Sequence, residues 1–199
     1  MMNENVKRLV ENITGLGKPE VGHICIRSAV PSAFGFADDG ETPNNPQLPL
    51  VLYRSPVVLE PRYDPAAIFE GLFAFHRWEN SWRYTMYGFN HFHTRTHECL
   101  GIARGALTAR FGGREGQEIE LKAGDVIVIP AGVGHRHIRQ SEDLLIVGAY
   151  PVNGGKYDEP KPGEIAHATA LAHIKAVPLP AMDPVYGRDG PLFSAWQRR

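Results

Sequence analysis

Three histidines and one glutamate carry the chemistry that this sequence offers. His91 and His93 stand in the run HFHTRTHE, Glu98 closes it, and His135 follows the run GDVIVIPAGVG. Successive side chains of a strand point to opposite faces, so His91 and His93 share one face and Phe92 takes the other. Thr94 to His97 is enough chain to turn, after which Glu98 begins an antiparallel strand close to the two imidazoles. Gly124-Asp125 reads as a turn, VIVI as a buried strand, and Pro130 to Gly134 as the return that delivers His135. Three imidazoles and a carboxylate form an intermediate-to-hard donor set suited to one divalent ion of Fe, Mn, Ni, Co or Zn. The competing reading is a metal-free polar cluster, and burying a carboxylate beside three imidazoles without a cation is costly.

The neighbours of these four residues divide by strand parity. His97 precedes Glu98 and faces away from it, toward hydrogen bonds on the exterior, and Cys99 shares that parity as a small hydrophobe. His137 and Arg139 continue the inward series that starts at His135. His137 is a candidate for proton transfer, with a structural role as the alternative. Arg139 offers a fork of donors to a substrate carboxylate, with a core acid as the alternative partner. Tyr87 and Phe89 share the parity of His91 and either line a cavity or pack in the core, whereas Trp78, Trp82 and Trp196 read as packing or subunit contacts.

Positioning such a cluster requires a scaffold of short strands. Val6, Leu9, Val10 and Ile13 recur at helical spacing, with Asn3 able to cap and Gly15, Gly17 and Pro19 to stop, so the spacing predicts a helix over 3–14. The run GHICIRSAV over 22–30 alternates like a strand, 31–50 is a loop rich in Pro, Gly, Asn and Asp, and Leu50 to Leu59 resembles a strand. Asp64 as cap and Pro65 at the first position predict a second helix over about residues 65–78. Strands then follow over 82–93, 98–104, 106–111, 118–121, 126–129, 135–139 and 144–150, each bounded by turn signals. Such a series argues for a sandwich or closed barrel.

Of 199 residues, 43% are hydrophobic and 22% charged, an ordinary globular balance that buries a core without disulfides. A net charge of -1 gives no electrostatic reason to expect nucleic acid or an anionic membrane as partner. Two cysteines, Cys25 and Cys99, build no disulfide framework. The start MMNENVKRLVENITG holds neither an apolar signal core nor a bilayer-length span, which makes a cytoplasmic location the expectation. Residues 1–80 read as an extension packed on a barrel core over 81–150, and the Pro- and Gly-rich stretch 151–199 as a tail that wraps it, all within one domain.

The two runs spell HxHx4Ex6G from His91 to Gly105 and Gx5PxGx2H from Gly124 to His135, and in these the sequence resembles the cupin superfamily. Stretches such as PNNPQLPLVLYR, HTRTHECLGIARG and VGAYPVNG are similar to the YjlB-like group of bacterial cupins, over most of residues 20–190. The resemblance implies a mainly β fold, a cupin-type jelly-roll β-barrel, with one divalent metal bound by His91, His93, Glu98 and His135. Two positions depart from the family pattern: Arg139 stands where an Asn is usual, and Thr85 where a Gly is expected. Four protein ligands on a six-coordinate ion leave two positions for water, substrate or dioxygen. The leading reading is a metal-dependent oxidoreductase of dioxygenase type acting on a small oxygenated molecule, with His137 and Arg139 as the catalytic candidates. A non-catalytic binding or sensing protein and a metal-dependent isomerase or lyase stay open, because one fold hosts many chemistries. Cupins commonly pair by exchanging strands, so a homodimer is expected.

Overall fold

The apolar run VIVI becomes the centre of a sheet buried on both faces, and that strand organises the rest of the molecule. The computed structural model describes residues 16–196, and the helix expected over 3–14 lies outside them. The strands are β1 (Ser32–Phe34), β2 (Leu50–Tyr53), β3 (Trp78–Tyr84), β4 (Glu98–Arg104), β5 (Ala106–Phe111), β6 (Gln117–Lys122), β7 (Val126–Ile129), β8 (His135–Gln140) and β9 (Leu145–Pro151). They form a six-stranded sheet in the order β1-β2-β7-β4-β9-β3 and a three-stranded sheet in the order β6-β5-β8. Every ladder within these two sheets is antiparallel.

Alternation along β4 shows how both faces of the large sheet are used. Leu100 and Ile102 point to the small sheet and pack with Leu107, Ala109 and Phe111 of β5. Cys99 and Ala103 point the opposite way, under the helix α1 (Pro65–Phe75) and the C-terminal tail. That outer layer holds Phe69 and Phe73 of α1 with Val185, Leu192 and Trp196 of the tail. Continuous burial of β2 and β7 follows from this double cover.

Local chemistry sets the boundaries. Asp64 caps α1 by accepting from the Ala66 amide at 3.2 Å, and Pro65 occupies the first helical position as expected. The helix ends at Phe75, short of the expected 78, because Arg77 takes a left-handed φ of 66° and Trp78 already starts β3. Gly105 turns β4 into β5 with a φ of 70°.

Other expectations fail for reasons that are visible. Residues 22–30 form no strand beyond a single bridge between Ile26 and Val57 after a 3-10 turn over Val21–His23. The strand expected over 82–93 is β3, which starts earlier and ends at Tyr84, after which the chain leaves the large sheet. Unmarked in the sequence, the helices α2 (His167–Lys175) and α3 (Pro191–Trp196) lie in the tail. α2 packs Ala170 and Ile174 against Phe92 and Ala131.

Candidate metal centre

Where the chain leaves β3 it crosses to the small sheet, and this crossing assembles the site. His91 and His135 form an antiparallel bridge, with the His135 amide donating to the His91 carbonyl at 2.9 Å and the reverse bond at 3.3 Å. The His137 amide donates to the Tyr87 carbonyl at 2.9 Å, and the Gly132 amide to the His93 carbonyl at 2.7 Å. The imidazoles of His91 and His135 therefore lie with centroids 4.2 Å apart. Glu98 starts β4 with the same inward parity as Leu100, so its carboxylate enters from the large sheet.

The four side chains meet in the interior. His91, His93, Glu98 and His135 are all at most 5% exposed. One ligand nitrogen from each of the three histidines lies within 4.8 Å of the other two. Glu98 Oε2 is 3.2 Å from His93 Nε2 and 3.5 Å from His135 Nε2. Each imidazole is oriented from behind by a backbone carbonyl. His91 Nδ1 meets the Phe89 carbonyl at 3.3 Å, His135 Nδ1 meets that of Val133 at 3.1 Å, and His93 Nδ1 meets that of Asp158. Carbonyls only accept, so Nδ1 carries the proton in each case and Nε2 is left to face the centre. A tautomer fixed by an outer hydrogen bond is the usual arrangement behind metal-ligating histidines.

Electrostatics agree with that geometry. Burial pushes the His91 imidazole down to about 3, and the neighbouring His135 and His93 add to the effect. Burial alone would depress His93 too, but the charge and hydrogen bond of Glu98 hold it above its ordinary value. Glu98 is held well below the carboxylate range, since His93 and the hydrogen bonds from His135 and His93 outweigh its desolvation. The site thus already compensates a buried anion with positive charge, the role a divalent cation fills better. Three Nε2 atoms with an ionised carboxylate fit such an ion in donor type and number.

The catalytic candidates fare differently from the candidate ligands. His137 is half-buried, with Nδ1 2.6 Å from the Met86 carbonyl and its ring beside Gly88, and it is not among the residues that line the cavity. Arg139 is exposed. Ala109 pairs with His137 but Thr108 pairs with Arg139, so Ile138 is an extra residue, a β-bulge that reverses the parity beyond it. Arg139 consequently lines a separate surface cavity with Arg54 and Lys122, which corrects the expected inward series. His97 faces away from Glu98 as expected, yet it is interior. Its Nδ1 accepts from the Ala131 amide at 3.0 Å and its ring lies 4.8 Å from Trp196, because the tail covers what reads as an outer face.

Aromatic residues complete the site. Its candidate ligands open into a cavity of about 540 Å³ lined also by Tyr87, one of the two places expected for it. Trp82, which reads in the sequence as packing, lines it too, as do Tyr150 and Tyr157, which the sequence does not mark. The Tyr150 hydroxyl donates to Glu98 and accepts from Trp82 Nε1 at 2.9 Å. Burial and Glu98 push that hydroxyl far above its ordinary pKa, so it stays a donor. Strand register held a signal for it: Cys99 pairs with Ala149, so continuing by one step sets Tyr150 opposite Glu98. Gly148 makes the contact possible, since a Cβ there would fall inside the Trp82 indole.

The tail supplies the remaining support. Asp158 accepts from the Thr94 amide at 2.9 Å and the Thr94 hydroxyl at 2.5 Å, which pins the chain just after His93. His173 of α2 meets Thr94 Oγ1 at 3.2 Å and accepts from Arg95 at 3.1 Å.

Comparison with known proteins agrees with this architecture. A cupin domain model matches residues 85–147, which hold all four candidate ligands. The chain is 39% identical over 165 residues to the uncharacterized protein YjlB of Bacillus subtilis strain 168, covering 82% of this chain and 94% of that protein. Among solved structures, acireductone dioxygenase from Bacillus anthracis with cadmium in its active centre aligns at 18% identity and a TM-score of 0.33. That alignment covers 45% of this chain and 61% of the enzyme, less than two thirds of its length. A cupin 2 domain-containing protein from Halorhodospira halophila aligns at 11% identity and a TM-score of 0.31, over 76% of this chain and 84% of that one. Structural likenesses this distant carry no argument about activity. The identity to YjlB over nearly its whole length, with the cupin match across the site, shows that the chain belongs to the cupin family and within it to the YjlB-like proteins.

Proposed function

We propose that this protein is a metal-dependent oxidoreductase of dioxygenase type, holding one divalent ion with His91, His93, Glu98 and His135 and acting on a small oxygenated molecule. The observation that carries the reading is the set of three backbone-oriented imidazoles with converging ligand nitrogens, two of which lie 3.2 and 3.5 Å from one buried carboxylate. We also read the two sheets as the halves of a jelly-roll barrel whose mouth is this cavity. A bound ion would supply Lewis acidity and, as iron or manganese, electron transfer. The chain's own residues do the rest. Glu98 is kept ionised by His93 and His135 and aimed inward by Tyr150, which Trp82 holds in turn. Aromatic walls exclude water from the substrate's reacting face and leave entry through the mouth lined by Tyr84 and Tyr87.

Metal analysis of protein purified without an affinity tag tests this, followed by oxygen-electrode measurements with compounds bearing adjacent oxygens. About one iron or manganese per chain with substrate-dependent oxygen uptake is the expected result. Stoichiometric zinc with no uptake for any compound would instead favour the non-catalytic binding protein. A second expectation concerns the support behind Glu98. Tyr150→Phe removes the hydroxyl donor and should weaken metal affinity by roughly 10-fold, the lower end of what loss of an outer hydrogen bond does. Chelator competition measures it, and an unchanged dissociation constant would remove Tyr150 from the site's machinery.

A further inference from the structure

We propose that the cavity selects an uncharged aromatic molecule with adjacent oxygens, a catechol-like ring, over any substrate bearing a carboxylate or phosphate. The placing of the oxygens rests on the metal reading above. The selection for a flat, uncharged body rests on the walls and is tested separately.

Charge gives the first argument. The carboxylates lining the cavity are Glu98, which His93 compensates, and Glu159, and no lysine or arginine is among the described lining residues. Lys156 is exposed and is not among the lining residues, and two other basic groups nearby are engaged elsewhere. Lys161 sits 4.6 Å over the Phe89 ring and 3.7 Å from Glu164, and Arg95 donates to His173. Arg139, expected to receive a carboxylate, lies across the β8 bulge in another cavity. Away from the metal, whose open positions the adjacent oxygens would take, an additional anionic group on the substrate would meet no forked donor, and an unpaired charge is strongly disfavoured in a largely apolar site.

Shape gives the second. Tyr87 stands edge-on to His91 with centroids 5.2 Å apart, and Tyr157 lies 5.2 Å from both His93 and Tyr150. Rings therefore flank the imidazoles on both sides of the centre, with Met86 and Trp82 continuing the walls. Faces and edges at these spacings suit a further ring, by offset stacking or edge contact. A volume of about 540 Å³ is ample for one or two fused rings.

An ammonium ligand, the other guest of aromatic cages, fits less well. Glu98 is enclosed by imidazoles, and Glu159 is exposed and already accepts from the Tyr157 hydroxyl, so an ammonium would meet only a solvent-screened carboxylate.

The test uses the full chain in two forms, loaded with redox-silent zinc and stripped by chelator, with zinc content measured alongside. Catechol, 3,4-dihydroxybenzoate, dopamine and oxalate are titrated by isothermal calorimetry. Catechol should bind most tightly in both forms, at least about 10-fold ahead of 3,4-dihydroxybenzoate, as expected for a carboxylate without a partner. Tyr87→Ala and Tyr157→Ala, both at the half-exposed mouth, should each weaken catechol by roughly 3- to 10-fold while zinc content holds. Preference for 3,4-dihydroxybenzoate or oxalate in either form would overturn the inference, and so would a preference for dopamine. If zinc fails to bind, the metal reading falls alone, because the ranking in the stripped form still reports the walls.

Discussion

His93→Ala should emerge from purification folded but without stoichiometric metal. His93 supplies one of the three converging nitrogens, and its Nε2 is the imidazole nitrogen closest to the Glu98 carboxylate, at 3.2 Å. Alanine removes a donor and also the cation that compensates Glu98 before a metal arrives. Loss of affinity should exceed the roughly 10- to 100-fold that follows from removing a supporting group alone. The fold survives because the layer beneath α1 and the apolar layer between the sheets do not depend on His93. Elemental analysis with far-UV circular dichroism reads both effects. His97→Ala is the matching control, since that ring faces Trp196 on the other side of the chain and should leave the metal in place. A His93→Ala protein that retains full metal would refute the ligand assignment.

Asp183→Ala should be the most damaging substitution outside the site. This carboxylate is fully buried and accepts from the Tyr53 hydroxyl at 2.6 Å and from the amides of Val185, Tyr186 and Leu192 at 2.8, 3.0 and 3.1 Å. Burial and Asp183 together push the Tyr53 phenol far above its ordinary pKa, so that donor cannot escape by ionising. Each orphaned buried donor costs about 1–3 kcal/mol, and with partial rehydration the total should be about 3–5 kcal/mol. Denaturant titration should show a clear fall in the midpoint with little change in slope, because the surface exposed on unfolding is nearly the same. A shift of a few tenths of a kcal/mol would mean that the tail is held by Val185, Leu192 and Trp196 alone.

The ladders inside the sheets were the readable part of the sequence. β4, β5 and β7 have the boundaries that alternation and turn residues give, and Asp64 and Pro65 start α1 where capping chemistry places it. What alternation could not reveal was where it stops. The aromatic run after Trp82 looks like one strand, but β3 ends at Tyr84 and His91 pairs in the other sheet. The bulge at Ile138 moved Arg139 to the exterior, and nothing in a period-two pattern marks one inserted residue. His97 was assigned to an exterior that the tail turns into an interior, a tertiary effect invisible in local spacing. α2 was missed because only Ala170 and Ile174 are buried and no side chain caps its start. The converging candidate ligands were legible because their types and spacing are local. Asp158 and Tyr157 were not, since one acts through a backbone carbonyl and both come from a distant stretch.

The carbonyl behind His93 belongs to residue 158, and the helix that braces Asp158's partner Thr94 ends at residue 175. A growing chain emerges from the ribosome N-terminus first. A nascent protein that has just exposed His135 would own every ligand yet lack the group that orients one of them. Under the proposed reading, metal capture therefore waits until residues 158–175 have emerged, and truncation products that stop before Asp158 would compete poorly for the ion.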